Sequence, residues 1–357
     1  MTDRPMDRMK LLDRLNHVRG IAQDLYVSLM IYVGRRLDLY DDMRDAGPLT
    51  SDELAQRTGL HERWLREWLR GQAAAGLIDY QDGRFELSPE AAADLADEDH
   101  LMFLGRIFDS IPHRADIIQR LPEAFRTGLG LSWDDRGEGS IQSTESTFGN
   151  WYRQVLVPGA LPLLDGMVAR LEAGCRVADL GCGTGIALIE MAKAYPKSEF
   201  HGYEVSALSL ARAEENRAAA GTANVFLYDL KEAPLPADAG FDFITTFDCL
   251  HDMTDPEKQA AAPIRAALKP DGVWFIVDID GGATFEENLQ KPAAPMLYAM
   301  SVLSCMSSAL SEPGGAGLGT LGLPEPALRA FVLAAGFTRF RRLDLSHPIN
   351  AYYEVRP

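Results

Sequence analysis

Cysteine is scarce in this chain: 357 residues carry four, Cys175, Cys182, Cys249 and Cys305. They are scattered, with no C-x-x-C spacing, which excludes a disulfide framework and a sequence-legible zinc site and reads as reduced intracellular thiols. Cationic side chains are also in deficit, with 35 Lys and Arg against 52 Asp and Glu and a net charge of −17. Nucleic-acid surfaces need clustered Lys and Arg, so this balance argues against such a partner. Long apolar runs are missing too. The stretch Ala293–Leu310 is broken by Pro295 and several serines, too short and too polar to span a bilayer. The N-terminal stretch MTDRPMDRMK is polar, carries both signs and lacks a signal-peptide pattern. These absences lead us to expect a cytoplasmic protein without membrane or nucleic-acid partners, long enough for two domains. No internal repeat or low-complexity tract is evident.

What is present centres on Val177–Gly185, VADLGCGTG. Val177 and Ala178 read as the end of a buried strand, with Asp179 at its carboxyl end and Ile186–Tyr195 as the helix that follows. Gly181, Gly183 and Gly185 form the turn between them, where glycine permits positive φ and close approach of a ligand to the backbone. A dinucleotide fingerprint needs G-x-G-x-x-G to bring a pyrophosphate to the helix N-terminus. Here the third position of that pattern is Ile186, and the leading Asp179 would repel a pyrophosphate but accept hydrogen bonds from an ammonium group. A cationic, amino-acid-bearing ligand fits better, and a nicotinamide dehydrogenase is disfavoured. The stretch resembles the nucleotide-binding loop of class I S-adenosylmethionine (SAM) dependent methyltransferases.

The segments that follow keep to one rhythm. Strands are expected at Glu199–Glu204, Val225–Tyr228, Phe241–Phe247 and Val273–Asp278, with helices at Ala207–Ala220 and Asp255–Leu268 and a turn at Lys269–Gly272. Alternating strands and helices predict an α/β fold with a doubly wound, mostly parallel sheet. A closing pair, Phe340–Leu345 and Ala351–Val355, matches the antiparallel edge of the methyltransferase class and brings the sheet to seven strands, Rossmann-like. The resemblance implies SAM as cofactor and S-adenosyl-L-homocysteine (SAH) as product. It implies Asp179, Gly181, Cys182, Gly183 and Gly185 at the methionine moiety and Glu204 at the ribose. It also implies Asp229 and Leu230 at the adenine, and the Phe247 carbonyl at the methionine amine. Taken singly, Glu204 and Asp229 read equally well as solvated strand-end acids.

The first half has a different character. Leu12–Met43 reads as a helix whose apolar residues crowd Ile21–Leu39, so it must be covered either by a core or by a second subunit. Thr50–Arg57 opens on a capping signature at Ser51. His61–Ala75 forms a second helix, and Leu77–Tyr80 and Arg84–Leu87 flank a turn at Gln81–Gly83. Helix, turn, helix and two-stranded wing make a winged-helix pattern. Arg63, Arg66 and Arg70 could read DNA, but residues 1–100 hold 13 Lys and Arg against 20 Asp and Glu, a formal charge of −7. Trp64, Leu65, Trp68 and Leu69 also make much of that helix apolar. A dimerisation and lid domain is the reading we prefer, with a homodimer formed through the N-terminal helices. We expect the winged-helix domain over residues 1–100, a helical linker over 101–155 and the SAM-binding domain over 156–357.

Methyl transfer from a sulfonium is an in-line displacement that asks the protein to align two reactants and exclude water. A base is needed only where the acceptor must lose a proton. His251, in FDCLHDMTDP just past the fourth strand, is the candidate, with Asp252 or Asp255 to orient it. The segment resembles the Leu-His-Asp element of winged-helix small-molecule O-methyltransferases, and more closely a bacterial methyltransferase group with this same FDCLHDM stretch. The tryptophan usual after that element is Met253 here. A helix-start or packing role is the other reading of His251. Pocket candidates are Tyr152, His113, Trp133, Tyr298 and Met300; no metal is expected. The activity this implies is methylation of a small molecule, at oxygen. Two alternatives stay open: transfer to sulfur or nitrogen, as in a methylthio-hydroxy acid, which needs no base, and a SAM-sensing winged-helix transcription regulator.

Overall fold

The computed structural model describes residues 6–357, so the first five residues of the polar N-terminal stretch lie outside the described residues. Contacts divide the chain into two compact units, one ending at Pro112 and one spanning His113–Pro357.

In the first unit a long helix, Arg8–Arg36, is capped by the Asp7 carboxylate and is separated from a short helix, Leu39–Met43, at Asp38, whose φ is 55°. The single helix expected over Leu12–Met43 is therefore two, because a left-handed residue cannot continue a right-handed helix. Helix Ser51–Thr58 carries a full capping box, but Thr50 is the cap and Glu53 its reciprocal partner. Ser51 instead donates its hydroxyl to Glu62 at 2.5 Å, linking this helix to Glu62–Ala74. The wing consists of β1 (Asp79–Gln81) and β2 (Arg84–Glu86), antiparallel, joined by Asp82 and Gly83 at φ 49° and 86°. Two successive positive φ values are what a two-residue hairpin requires, and Asp-Gly supplies them. Tyr40, Leu54, Leu65, Trp68, Leu69 and Phe85 form part of this unit's core. Gly34 is the point of closest approach, where a Cβ would come within 2.5 Å of the Trp68 ring.

The second unit is built on a seven-stranded sheet: β3 (Arg176–Leu180), β4 (Glu199–Glu204), β5 (Val225–Asp229), β6 (Phe241–Phe247), β7 (Leu268–Ile279), β8 (Arg339–Arg342) and β9 (Asn350–Arg356). Their spatial order is β5-β4-β3-β6-β7-β9-β8, parallel except at β9, which runs antiparallel to both neighbours. The chain reverses its winding direction between β3 and β6, and the crevice at their carboxyl ends is where such sheets bind ligands. Both faces are covered, which explains why β3, β6 and β7 read as nearly continuous apolar runs. One expectation fails locally. Lys269–Gly272 is not a free turn but belongs to β7, with a register irregularity opposite Phe241 and Phe243 that absorbs Pro270 and Gly272.

Trp274 on β7 is fully buried, packs on Phe337 and donates its indole N–H to Thr246 at 3.0 Å. Trp274→Ala should cost ~3–5 kcal/mol through the cavity and the stranded Thr246 hydroxyl. A denaturant midpoint within error of wild type would contradict this packing account.

Candidate active site

The glycine turn sits at the switch point as the spacing requires. Gly181, Gly183 and Gly185 have φ of 74°, 53° and 74°, and a Cβ at Gly181 would press within 3.0 Å of Cys249. Four of its amides are already engaged, those of Cys182 and Gly185 by the carbonyls of Tyr203 and Cys182 at 3.2 and 2.9 Å. Gly181 N–H donates to the Tyr203 carbonyl at 2.8 Å and Gly183 N–H to Glu204 Oε2 at 2.8 Å. What Gly183 leaves open is space, with no atom within 4 Å of where a Cβ would stand. Cys182 is buried beneath the turn, against Gly202 of β4.

Carboxylates crowd this crevice. Asp179 is buried and accepts the Thr245 hydroxyl at 2.7 Å; burial, and then the nearby Glu204, push its pKa up to about 8. Glu204 is held from three sides by the amides of Gly183, Val205 and Ser206, yet burial still raises its pKa. Asp229 ends β5, Leu230 follows it, and both are half-buried. Asp229 Oδ1 accepts the Lys231 amide at 2.9 Å, and Leu230 N–H donates to the Glu204 carbonyl at 2.9 Å. Phe247 closes β6 and meets the Tyr152 ring edge-on at 5.2 Å. Asp248 then takes φ 50°, which turns the chain across the crevice; burial and Asp278 raise its pKa to about 8. Buried carboxylates with raised pKa values mark a site short of positive charge, which a cationic ligand would supply.

His251 lies 2% exposed, with Nδ1 2.6 Å from Oδ1 of Asp278 at the end of β7. The orienting carboxylate is thus Asp278; Asp255 instead pairs with Lys258 at 2.7 Å. Burial works to lower the His251 pKa, but Asp278 and then Cys305 outweigh it and hold it well above 6.5. Asp252 stands beside the imidazole, its pKa pushed up to about 6 by burial despite His251 and Arg136. His251, Asp252 and Cys305 bring one ligand-type atom each within 4.8 Å of one another, a donor set that sequence spacing did not show.

The pocket candidates divide. Tyr152 lies over the crevice, its hydroxyl pKa raised well above 10 by burial and then by Asp248 and Asp179, whereas Trp151 stacks on Tyr352 as core. His113 packs against Gly139, and burial followed by Arg136 lowers its pKa. Trp133 lies under the guanidinium of Arg136 at 3.8 Å. Tyr298 points away, exposed, with its ring against Phe285, and Met300 is half-buried on the same helix. Reading the sequence missed Thr245, Asp248, Asp278, Cys305 and Arg136. Only Asp278, an acid closing a buried strand, carried a signal that could have found it.

Strand order, switch-point glycine turn and strand-end acids together define the class I methyltransferase fold. Residues 171–310 match the family described as Methyltransferase domain, and residues 26–96 match the Rv2258c-like winged HTH domain. The chain therefore carries a methyltransferase domain behind a winged-helix domain. Among curated proteins it is similar to demethylspheroidene O-methyltransferase of Cereibacter sphaeroides, 28% identical over 66% of this chain and 64% of that one. A protein of Synechococcus sp. is 35% identical over 28% of this chain and 24% of its own length. The chain thus matches less than two thirds of the length of these curated relatives. Among solved structures, human N-acetylserotonin methyltransferase in complex with SAM superposes with a TM-score of 0.68 at 16% identity, covering 100% and 99% of the two chains. An O-methyltransferase family protein of Burkholderia thailandensis gives 0.68 at 16% identity, covering 99% and 98%. At these identities the likeness is one of fold.

Proposed function

We propose that this protein transfers a methyl group from SAM to a small molecule, at oxygen, with His251 as the general base and SAH as the product. The observation that carries the reading is the acid-lined crevice. Asp179, Glu204 and Asp248 are buried around an open glycine turn, and a ligand bearing both a sulfonium and an ammonium relieves their mutual repulsion. Asp179 takes the ammonium end of the methionine moiety, with the turn Gly181–Gly185 and the Phe247 carbonyl around it. Glu204 takes the ribose hydroxyls, and Asp229 and Leu230 the adenine. Tyr152 covers the donor from water. Asp278 holds the His251 ring so that its other nitrogen can receive the acceptor's proton. No metal has a role in this scheme. Demethylspheroidene O-methyltransferase supports oxygen as the accepting atom. Incubation with labelled SAM and a metabolite extract should give products heavier by one methyl. Intact SAH binding with no methylated product from any extract would defeat the enzymatic reading.

Transfer to a thioether remains the alternative within this class, because Met253 replaces the usual tryptophan and a thioether needs no base. A DNA-binding regulator fares worse. Arg63 and Arg66 of the second winged-helix helix are engaged by Glu67 and Glu62 at 2.6 and 2.5 Å.

The protein works as a homodimer in this proposal. Helix Arg8–Arg36 buries only Ile31 and Gly34, while Ile21, Leu25 and Tyr26 are 58%, 59% and 69% exposed. A second copy of the helix is the partner of matching chemistry. Leu25→Glu should convert a dimer to a monomer in sedimentation; a wild-type monomer at micromolar concentration would dismiss it. Four free cysteines support the cytoplasm, a reducing compartment, as its location in this proposal. No single helix among the described residues is long and apolar enough to cross a membrane.

A further inference from the structure

Arg136 is a feature of the site that the scheme above leaves idle. It is 3% exposed, and its Nη2 has no hydrogen-bond partner. Burying a guanidinium with an unused donor is costly, and such a group is normally completed by an anion or a water. The remaining nitrogens are committed, Nη1 to the Ser304 hydroxyl and Nε to the Ser132 carbonyl at 3.4 Å. One face is closed by Trp133. Asp252 is near enough to act on the guanidinium electrostatically but makes no hydrogen bond to it.

The loop that carries Arg136 is fastened. Gly130 N–H donates to the Leu310 carbonyl at 2.9 Å, and Leu131 N–H to Ser307 Oγ at 2.8 Å, both at the end of helix Ala294–Ala309. Gly130 must be glycine there, since a Cβ would fall 1.9 Å from the Ser307 carbonyl oxygen. Asp134 meets the start of helix Ala207–Ala220 through the Ser206 hydroxyl, and Arg120 bonds to the Asp135 carbonyl. Held at both ends, the guanidinium is pre-positioned on the same side of the crevice as Asp252, Cys305 and His251.

We propose that Arg136 binds the acceptor, and that the acceptor is a small carboxylic acid whose carboxylate completes Nη2. This rests on the methyltransferase reading and narrows its substrate class. One unpaired nitrogen with the Ser304 hydroxyl on its neighbour matches the two oxygens of a carboxylate. A phosphate dianion would meet about twice the repulsion from Asp252 and Asp278 that a carboxylate monoanion meets, which favours the monoanion beside Arg136. Arg136 is then a specificity residue, and His251 and the donor remain responsible for the transfer.

The test uses the full-length protein with SAM and matched probes: 4-hydroxybenzoate, 3-(methylthio)propanoate and 2-hydroxy-4-(methylthio)butanoate, each beside its primary amide. Turnover is followed with SAM, and binding by calorimetry on SAH-saturated protein. At least one acid should be preferred over its amide by tenfold or more. Arg136→Gln should erase that preference by raising KM for the acid at least tenfold while leaving the amide unchanged. Arg136→Lys, which keeps the charge without the fork, should retain part of it and guards against misfolding of the glutamine variant. Acids no better than amides across the panel, in turnover and in binding, overturn the proposal. So does an Arg136→Gln protein that binds SAH normally but loses acid and amide alike. Failure of the wild type to bind SAH is a different result, since it removes the methyltransferase reading itself.

Discussion

Asp179→Asn should weaken SAH binding by roughly 10- to 100-fold, the ~1.5–3 kcal/mol that a hydrogen bond to a charged group is worth. The variant keeps the shape and can still accept the Thr245 hydroxyl, so the fold should survive and the loss should appear in affinity. A second readout follows from the pKa of about 8. In the empty crevice near pH 7, Asp179 is mostly protonated, because burial disfavours its charged form. A ligand ammonium requires the carboxylate, so binding must expel a proton. Affinity should therefore rise with pH up to about 8 and fall below it. Calorimetric titrations near pH 7 in buffers of different ionisation heat should show proton release in wild type and little in Asp179→Asn. Equal affinity and equal heats for the two proteins would place the ligand's ammonium elsewhere.

His251→Ala should lower turnover by ~10²–10⁴ while SAH binding stays intact. The pH dependence gives the sign of the mechanism. With its pKa raised by Asp278 and then Cys305 against the pull of burial, His251 holds its proton to higher pH than an ordinary imidazole and gains its basic form as pH rises. The acid limb of kcat/KM should lie on the alkaline side of an ordinary imidazole. Asp278→Asn removes the charge that raises it and leaves the burial that lowers it, so the limb should move to lower pH, with slower turnover from the loosened ring. A profile flat across this range, with His251→Ala as active as wild type, would remove the base and favour a thioether acceptor.

Much of this was legible in local sequence. The three glycines, the acid before them and the alternation of apolar runs with helical stretches are short-range signals, and the turn they form sits where they place it. The Asp-Gly wing turn is equally local. Boundaries failed where tertiary demands overruled local ones: Asp38 broke the first helix, and β7 drew Lys269–Gly272 into its ladder. Long-range partners were invisible. Asp278 reaches His251 because β7 pairs in register with β6, an arrangement that a separation of 27 in sequence does not announce.

The sequence by itself determined the class of fold and the kind of ligand the glycine turn admits, because backbone freedom at Gly181, Gly183 and Gly185 and the charge of Asp179 are properties of the residues. Only the tertiary structure decided which groups gather around His251. Arg136, Asp278 and Cys305 come from a single 3-10 turn, a strand end and a helix that are separate in the chain. What makes them consequential is burial in a common low-dielectric space, and burial is a property of packing that no residue carries alone.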